Sequence, residues 1–376
     1  MKIIKMADFN NPFKDFSANK KYEMRGGSPV DYLGRKIEPG SCLLGQRYLT
    51  RRSGLFWIAP SGQGKSTAAM QATVCWGCGR EGFEIEPPFP LRVTMVQAED
   101  DDADLTDQAK VIELLDFSPA ERQTVQKNVW IETINDRVGI SAIEIFEEIL
   151  TEKPCDLFVL NPYTAYLGAD SKDEEANSIF LRARIQALLN RHNCAALIIH
   201  HTPKTNFRGN TARWSIMDWM YSGAGAAVLT NWARGILAID PIGESGVFKF
   251  IAAKRHQRIG WDSKINYFRH DERPGVLLWS KATALEIAQA GSAAKGHEVS
   301  PEEILKAVPV LDGISMMRLR KELEKVTTQR GAKVAIDLAL EDGLIHAEWL
   351  KGSGKATKIK MIYRGGEDLL NTTTMD

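Results

Sequence analysis

The chain has 376 residues, long for a single domain, so one large domain with a smaller companion is expected. With 44% apolar and 26% charged residues it has the composition of an ordinary globular protein with ample core, which excludes a disordered or fibrous chain. Its formal net charge is zero, so any nucleic-acid partner must be met by a local basic surface rather than by global charge.

In chain order, the N-terminal stretch MKIIKMADFNNPFKDF interrupts its apolar residues with Lys, Asp and Asn, unlike a signal peptide. No run of about eighteen apolar residues follows anywhere, so no membrane partner is expected and the sequence reads as cytoplasmic. Residues 1–40 read as an irregular arm. CLLGQRYLTRR then leads into a strand over Gly54 to Ala59, and TAAMQATVCWG has helical character. LRVTMVQAED is a buried strand ending in acids, DLTDQAKVIELLDF a helix, NVWIETI a short strand and SAIEIFEEILTEK an amphipathic helix. CDLFVLNP and AALIIHHT are continuous apolar strands on either side of one long helix, EEANSIFLRARIQALLNRHN. RGILAID, VFKFIAAKR and GVLLWS close the series. Continuous apolar strands alternating with helices predict an α/β fold whose mostly parallel sheet is covered on both faces. In such sheets ligands collect at the carboxyl ends of the strands.

From Ala282 to His297 the sequence is rich in Ala, Gly and Ser and reads as a helix fading into a linker. Beyond it, PEEILKAVP, SMMRLRKELEKV and QRGAKVAIDLALEDGLI predict three short helices, and HAEWLKGSGKATKIKMIYR predicts a hairpin. That order over residues 298–365 is that of a winged helix-turn-helix domain. The tail 366–376 is expected to be disordered. Five cysteines, an odd number, argue for free thiols. Cys75 and Cys78 form a C-x-x-C, open to redox chemistry or half a zinc site, but at the end of a helix they suit packing on a sheet.

SGLFWIAPSGQGKSTAAMQ carries the main chemical signal. Gly62, Gly64, Lys65 and Ser66 stand between a strand and a helix, where backbone amides and the helix N-terminus hold phosphate. The lysine reaches the β and γ phosphates and the hydroxyl residue holds Mg²⁺. The expected ATP-binding residues are Pro60, Ser61, Gly62, Gln63, Gly64, Lys65, Ser66 and Thr67. Ala59 replaces the first glycine of the usual pattern, at the position farthest from the phosphates. Glu99, after an apolar strand, is placed to orient the attacking water, while Asp100 to Asp104 also suit a helix N-terminus. Asn161 stands where an aspartate would organise Mg²⁺. Its amide oxygen accepts a bond from Ser66 or a metal-bound water but adds no charge, so turnover is in doubt. Asp156 begins the same strand and should lie too far away to substitute. His200 and His201 end the next strand, and His201 is the better candidate for sensing the γ-phosphate.

The set LLGQRYLTRRSGLFWIAPSGQGKST, VQAED, LFVLNPYTAYLGAD, LIIHHTPK and SGAGAAVLTNWARGILAI, in that order over about Cys42 to Arg258, resembles the RecA/DnaB-like ring ATPases. Within them it resembles the RepA-type hexameric helicases and related AAA ATPases of plasmids and phages. The resemblance implies a RecA-like ATPase domain over residues 41–281. It also implies a homo-oligomeric ring, usually a hexamer, with ATP and Mg²⁺ between neighbours and single-stranded DNA through the centre. Lys65 and Ser66 match the loop, Glu99 the acid, Asn161 the metal position and His201 the histidine after the strand. Arg234 matches the arginine of the NxAR motif, and Arg255, with Lys254 and Arg258, is a candidate for a basic finger acting in a neighbouring subunit. Lys204, Phe207, Arg208, Arg213 and Trp214 fall where such proteins face the ring centre, a pattern that suits single-stranded DNA or a mobile loop with core aromatics. In the C-terminal domain Gln329, Arg330, Lys333, Lys351, Lys355, Lys358 and Lys360 are candidates for double-stranded DNA phosphates, whereas Asp337, Glu341 and Asp342 weaken that reading. Two functions follow as expectations: a helicase or translocase ATPase of a mobile element, active in DNA replication, and an ATP-dependent DNA-binding switch that hydrolyses little.

Overall fold

The structure is a computed structural model. It describes residues 26–202, 214–223, 226–242, 245–273, 276–295, 299–309, 312–327, 329–341, 343–351 and 358–364. The chain divides into two compact units at Ser41/Cys42. In the first, Ser28 caps the short helix Pro29–Leu33 through a capping box with Asp31.

The second unit is built on a nine-stranded sheet. Its strands are β1 (Gly54–Ala59), β2 (Val93–Gln97), β3 (Val129–Thr133), β4 (Leu157–Asn161), β5 (Ala195–His201), β6 (Gly235–Pro241), β7 (Val247–Lys254), β8 (Ile265–Arg273) and β9 (Val276–Lys281), in the order β9-β8-β7-β6-β1-β5-β4-β2-β3. β3, β2, β4, β5, β1 and β6 run parallel. β7, β8 and β9 add an antiparallel meander, so the sheet is mixed. The sequence pattern foresaw the parallel run but not the meander's direction or β8, because INYFRHDER interleaves polar residues with few apolar ones.

Each central strand alternates its side chains between two cores. Leu55, Trp57, Ala59, Leu197, Ile199, Leu237 and Ile239 face one layer, with Ala68, Ala69, Ala72 and Trp76 of helix α1 (Lys65–Cys78). Phe56, Ile58, Ala196, Ile198, Phe158 and Leu160 face the other, with Phe146 and Leu150 of the helix Ile140–Glu152 and Phe180, Leu181 and Leu188 beyond it. Both faces are therefore covered, which is why these strands read as continuous apolar runs. Burying each such Leu, Ile or Phe contributes about 1.5–3 kcal/mol. α1 ends at Gly79, whose left-handed backbone (φ 87°) lets its amide meet the Cys75 and Trp76 carbonyls.

Two helical expectations are revised. DLTDQAKVIELLDF is broken into Asp102–Ala109 and Val111–Leu114, with a further helix, Pro119–Asn128, behind it. EEANSIFLRARIQALLNRHN is interrupted by a π-helical segment, Ile179–Ile185, between α-helical ends. Toward the C-terminus, the helices Ala284–Lys295, Pro301–Ala307, Met316–Leu323 and Gln329–Glu341 precede a hairpin of Ile345–Lys351 and Lys358–Arg364. Ile304, Val308, Leu319, Leu323, Ile336, Ile345 and Ile362 pack together there, and Arg364 donates to the Leu305 and Val308 carbonyls. Among the described residues no helix is long and apolar enough to cross a membrane.

Candidate functional site: the loop after β1

β1 ends at Ala59 and α1 begins at Lys65, so the five intervening residues turn the chain at the carboxyl ends of the parallel strands. Gly62 (φ 75°) and Gly64 (φ 66°) make that turn in the left-handed region, where a side chain is strained. Ala59 lies within the strand, buried and paired with His201. It is not among the positive-φ residues, so the missing glycine costs the turn nothing. Space opens beside Gly62, where an added Cβ would meet no atom within 4 Å.

Lys65 is 4% exposed and donates to the Pro60 carbonyl at 2.5 Å. Burial lowers its pKa to about 8, opposed by the charge of Glu99. Ser66 donates its hydroxyl to Asn161 Oδ1 at 3.3 Å, so two candidate metal ligands from distant sequence meet. Asn161 is buried and pairs with Gln97 at the carboxyl ends of β4 and β2. Glu99 follows two residues later, beside an open cleft of about 450 Å³ lined by Ala98–Ala103, Thr133 and Asn135. Its pKa is raised by burial and by Asp100, while Lys65 draws it down. The His201 pKa is lowered to about 4, first by burial and then by Lys65. Its ring is therefore neutral at pH 7, and its buried Nδ1 has no hydrogen-bond partner among the described residues. Lys65, Ser66, Asn161, Glu99 and His201 thus form one neighbourhood.

Other candidates separate. His200 is fully buried with its ring edge-on to Phe56 and Tyr163, a core histidine. Asp156 sits at the far end of β4, held by Arg51 (2.6 Å) and Arg92 (3.0 Å), so it plays no part at the loop. Asp101 caps the helix Asp102–Ala109 through a capping box with Asp104, the role the acid run allowed. Cys75 is buried against Met70, Val74 and Phe117, with its thiol pushed up to about 12, as packing rather than redox chemistry requires. Trp214 packs against Trp219 (4.7 Å) beside the core, and thus as a core aromatic. Lys204, Phe207, Arg208, Arg213 and Lys355 lie outside the described residues, as do the side chains of Arg330, Glu341, Asp342, Lys351 and Lys358.

Arg234 and Arg255 are not at the loop of their own chain. The Arg234 amide donates to the carbonyl of Gly54, the first residue of β1, and Arg255 follows Lys254, which pairs with Ile236 near the start of β6. Gly54 and Ala59 are the two ends of a six-residue strand, about 17 Å apart. Burial and the neighbouring Arg255, Arg47 and Arg258 lower the Arg234 pKa, so four arginines gather at the amino ends of the strands. Arg47 and Arg255 hold positive φ, 67° and 59°. The sequence reading missed Arg47, whose only signal was its place in LLGQRYLT. Lys254 is withdrawn from the finger candidates, because its ammonium donates to the Thr230 and Ala233 carbonyls at 2.5 and 2.6 Å. A larger cleft, about 590 Å³, is lined by Glu81, Glu84, Glu86 and Trp261 and holds no loop residue.

Residues 27–206 match the family described as "AAA domain". The match spans just under half of the chain. The matched segment contains the loop, Glu99, Asn161 and His201, and ends before Arg234. No curated protein matches the chain significantly. Among solved structures, one described as the RadB recombinase is similar at 17% identity and a TM-score of 0.40, covering 59% of this chain and 89% of that one. The AAA match is in keeping with a nucleotide-binding enzyme.

Proposed function

We propose that the chain is a RecA-like ring ATPase that binds ATP on Pro60 to Thr67 and acts on DNA as a helicase or translocase. The observation that carries this is the meeting of Lys65, Ser66 and Asn161 at one strand end, with Glu99 and His201 both in electrostatic contact with Lys65. Lys65, now satisfied by a loop carbonyl, would turn to the β and γ phosphates. Neutral His201 would accept or donate at the γ-phosphate, and Glu99, its basicity raised, would hold the attacking water.

The donor set fits a Mg²⁺ that arrives on the nucleotide. Ser66 and Asn161 offer neutral oxygens, and no cluster of three metal-ligating His, Cys, Asp or Glu side chains occurs among the described residues. Mg²⁺ bound there would offset phosphate charge. Arg234 and Arg255 would complete the site of a neighbouring copy, with Arg47 and Arg258 beside them. In this reading 1–40 is an arm, 41–281 the ATPase domain, 282–297 a linker and 298–365 a winged helix. Exposed Gln329 and Lys333, with Lys360 on the hairpin, would meet DNA phosphates.

A second reading is favoured by buried, uncharged Asn161: a nucleotide-dependent DNA-binding switch with little hydrolysis. ATP binding and steady-state hydrolysis, with and without single-stranded DNA, separate the two. The motor reading expects DNA to raise turnover at least tenfold and Lys65→Ala to abolish nucleotide binding. Unchanged affinity in Lys65→Ala sinks both. Retained binding with a flat rate, raised by Asn161→Asp, selects the switch.

A further inference from the structure

The sequence pattern showed neither β8 nor the meander's antiparallel direction, yet the meander reaches the nucleotide loop. Gln71, 7% exposed on α1, clamps the backbone of Trp279 in β9: its Nε2 donates to the Trp279 carbonyl at 2.8 Å and its Oε1 accepts from the Trp279 amide at 2.9 Å. Trp279 spends both backbone groups outward, so it faces His270 of β8 as the pair without ladder hydrogen bonds, in which side chains lie closest. Accordingly the two rings stack, 4.3 Å apart and inclined by 10°.

That stack is seated against the loop. Trp279 Nε1 donates to Thr67 Oγ1 at 2.9 Å, and Thr67 gives its own proton to the Gly64 carbonyl at 2.8 Å. With that proton used, Thr67 Oγ1 can only accept further bonds, so His270 Nε2 at 3.4 Å meets it as an N–H. A Cβ at Gly64 would fall 2.8 Å from Trp279 Cζ2 and 2.9 Å from His270 Cε1. The left-handed turn that aims the loop amides therefore rests on this pair of rings.

We propose that Trp279, held by Gln71 and stacked on His270, is a positioning residue for nucleotide binding that acts through Thr67 to fix the Gly64 turn. The inference rests on the reading of this loop as a nucleotide site. Neither ring need touch the nucleotide. Their work is done beforehand, by holding the loop in the conformation that binding needs.

The test is a double-mutant cycle on ATP and ADP affinity, using wild type, Trp279→Phe, Thr67→Val and the double variant. Trp279→Phe keeps an aromatic ring and removes the Nε1 donor. Each single variant is expected to weaken both nucleotides five- to twentyfold, by the same factor for each. The double variant should be no weaker than Thr67→Val alone. Losses that multiply, or a Trp279→Phe protein that binds as wild type does, overturn the proposal. Should Trp279→Phe not fold, Gln71→Met, which removes both bonds to the Trp279 backbone, should weaken ATP and ADP by one common factor. Wild-type affinity for both nucleotides in Gln71→Met would overturn the proposal. Wild type failing to bind either nucleotide would instead remove the underlying reading of the loop.

Discussion

Lys65 shows how one side chain's surroundings dictate a measurable property. Without nucleotide its pKa is about 8, because burial opposes its charge more than Glu99 supports it. A bound triphosphate favours the charged form, so above pH 8 binding must take up a proton. ATP affinity should be flat below pH 7 and fall about tenfold per unit as pH rises above 8, until the bound-state pKa is reached. Titrating a fluorescent ATP analogue between pH 6.5 and 9.5 measures this, and a flat profile refutes it. The loop was legible in sequence because its glycines, lysine and hydroxyl are contiguous. The Ser66–Asn161 contact was legible because strand ends predict their neighbours. Thr67's partners were not, since nothing in the sequence around His270 and Trp279, 203 and 212 positions from Thr67, announces a stack beneath it.

At the level of elements, the buried parallel strands were readable and β8 of the meander was not. A strand covered on both faces must be apolar throughout, as GLFWIA and AALIIHH are, whereas β8 satisfies itself with charged neighbours: Arg269, on it, pairs with Glu286 at 3.3 Å. Sequence also mistook Lys254 for a free cation. It instead satisfies two carbonyls at the end of the helix Ala226–Trp232, where a helix leaves acceptors without intrahelical donors. Replacing Lys254 by Met preserves the stem and removes those bonds. Unfolding in urea should show a loss of about 1–3 kcal/mol with ATP affinity little changed. A variant as stable as wild type would return Lys254 to the candidates for the finger.

For the whole molecule, the decisive fact is that the loop lies at one end of β1 and the arginine cluster at the other. If the arginines serve a neighbour, Lys65→Ala and Arg255→Ala should each be inactive alone yet recover part of the activity when mixed. In the mixture some interfaces join an intact loop to an intact arginine. Hydrolysis assays across mixing ratios test this, and a mixture as inert as its components rejects action in a neighbour.

The six parallel strands of the sheet have a front and a back that cannot be exchanged. Copies joined front to back always leave one of each exposed, so association of this kind has no inherent end. Only a turn angle that brings the last copy round to the first halts it. Copy number would then belong to the tilt of each step rather than to catalytic chemistry, and substitutions outside the phosphate loop could lengthen, close or open the assembly while leaving each junction intact.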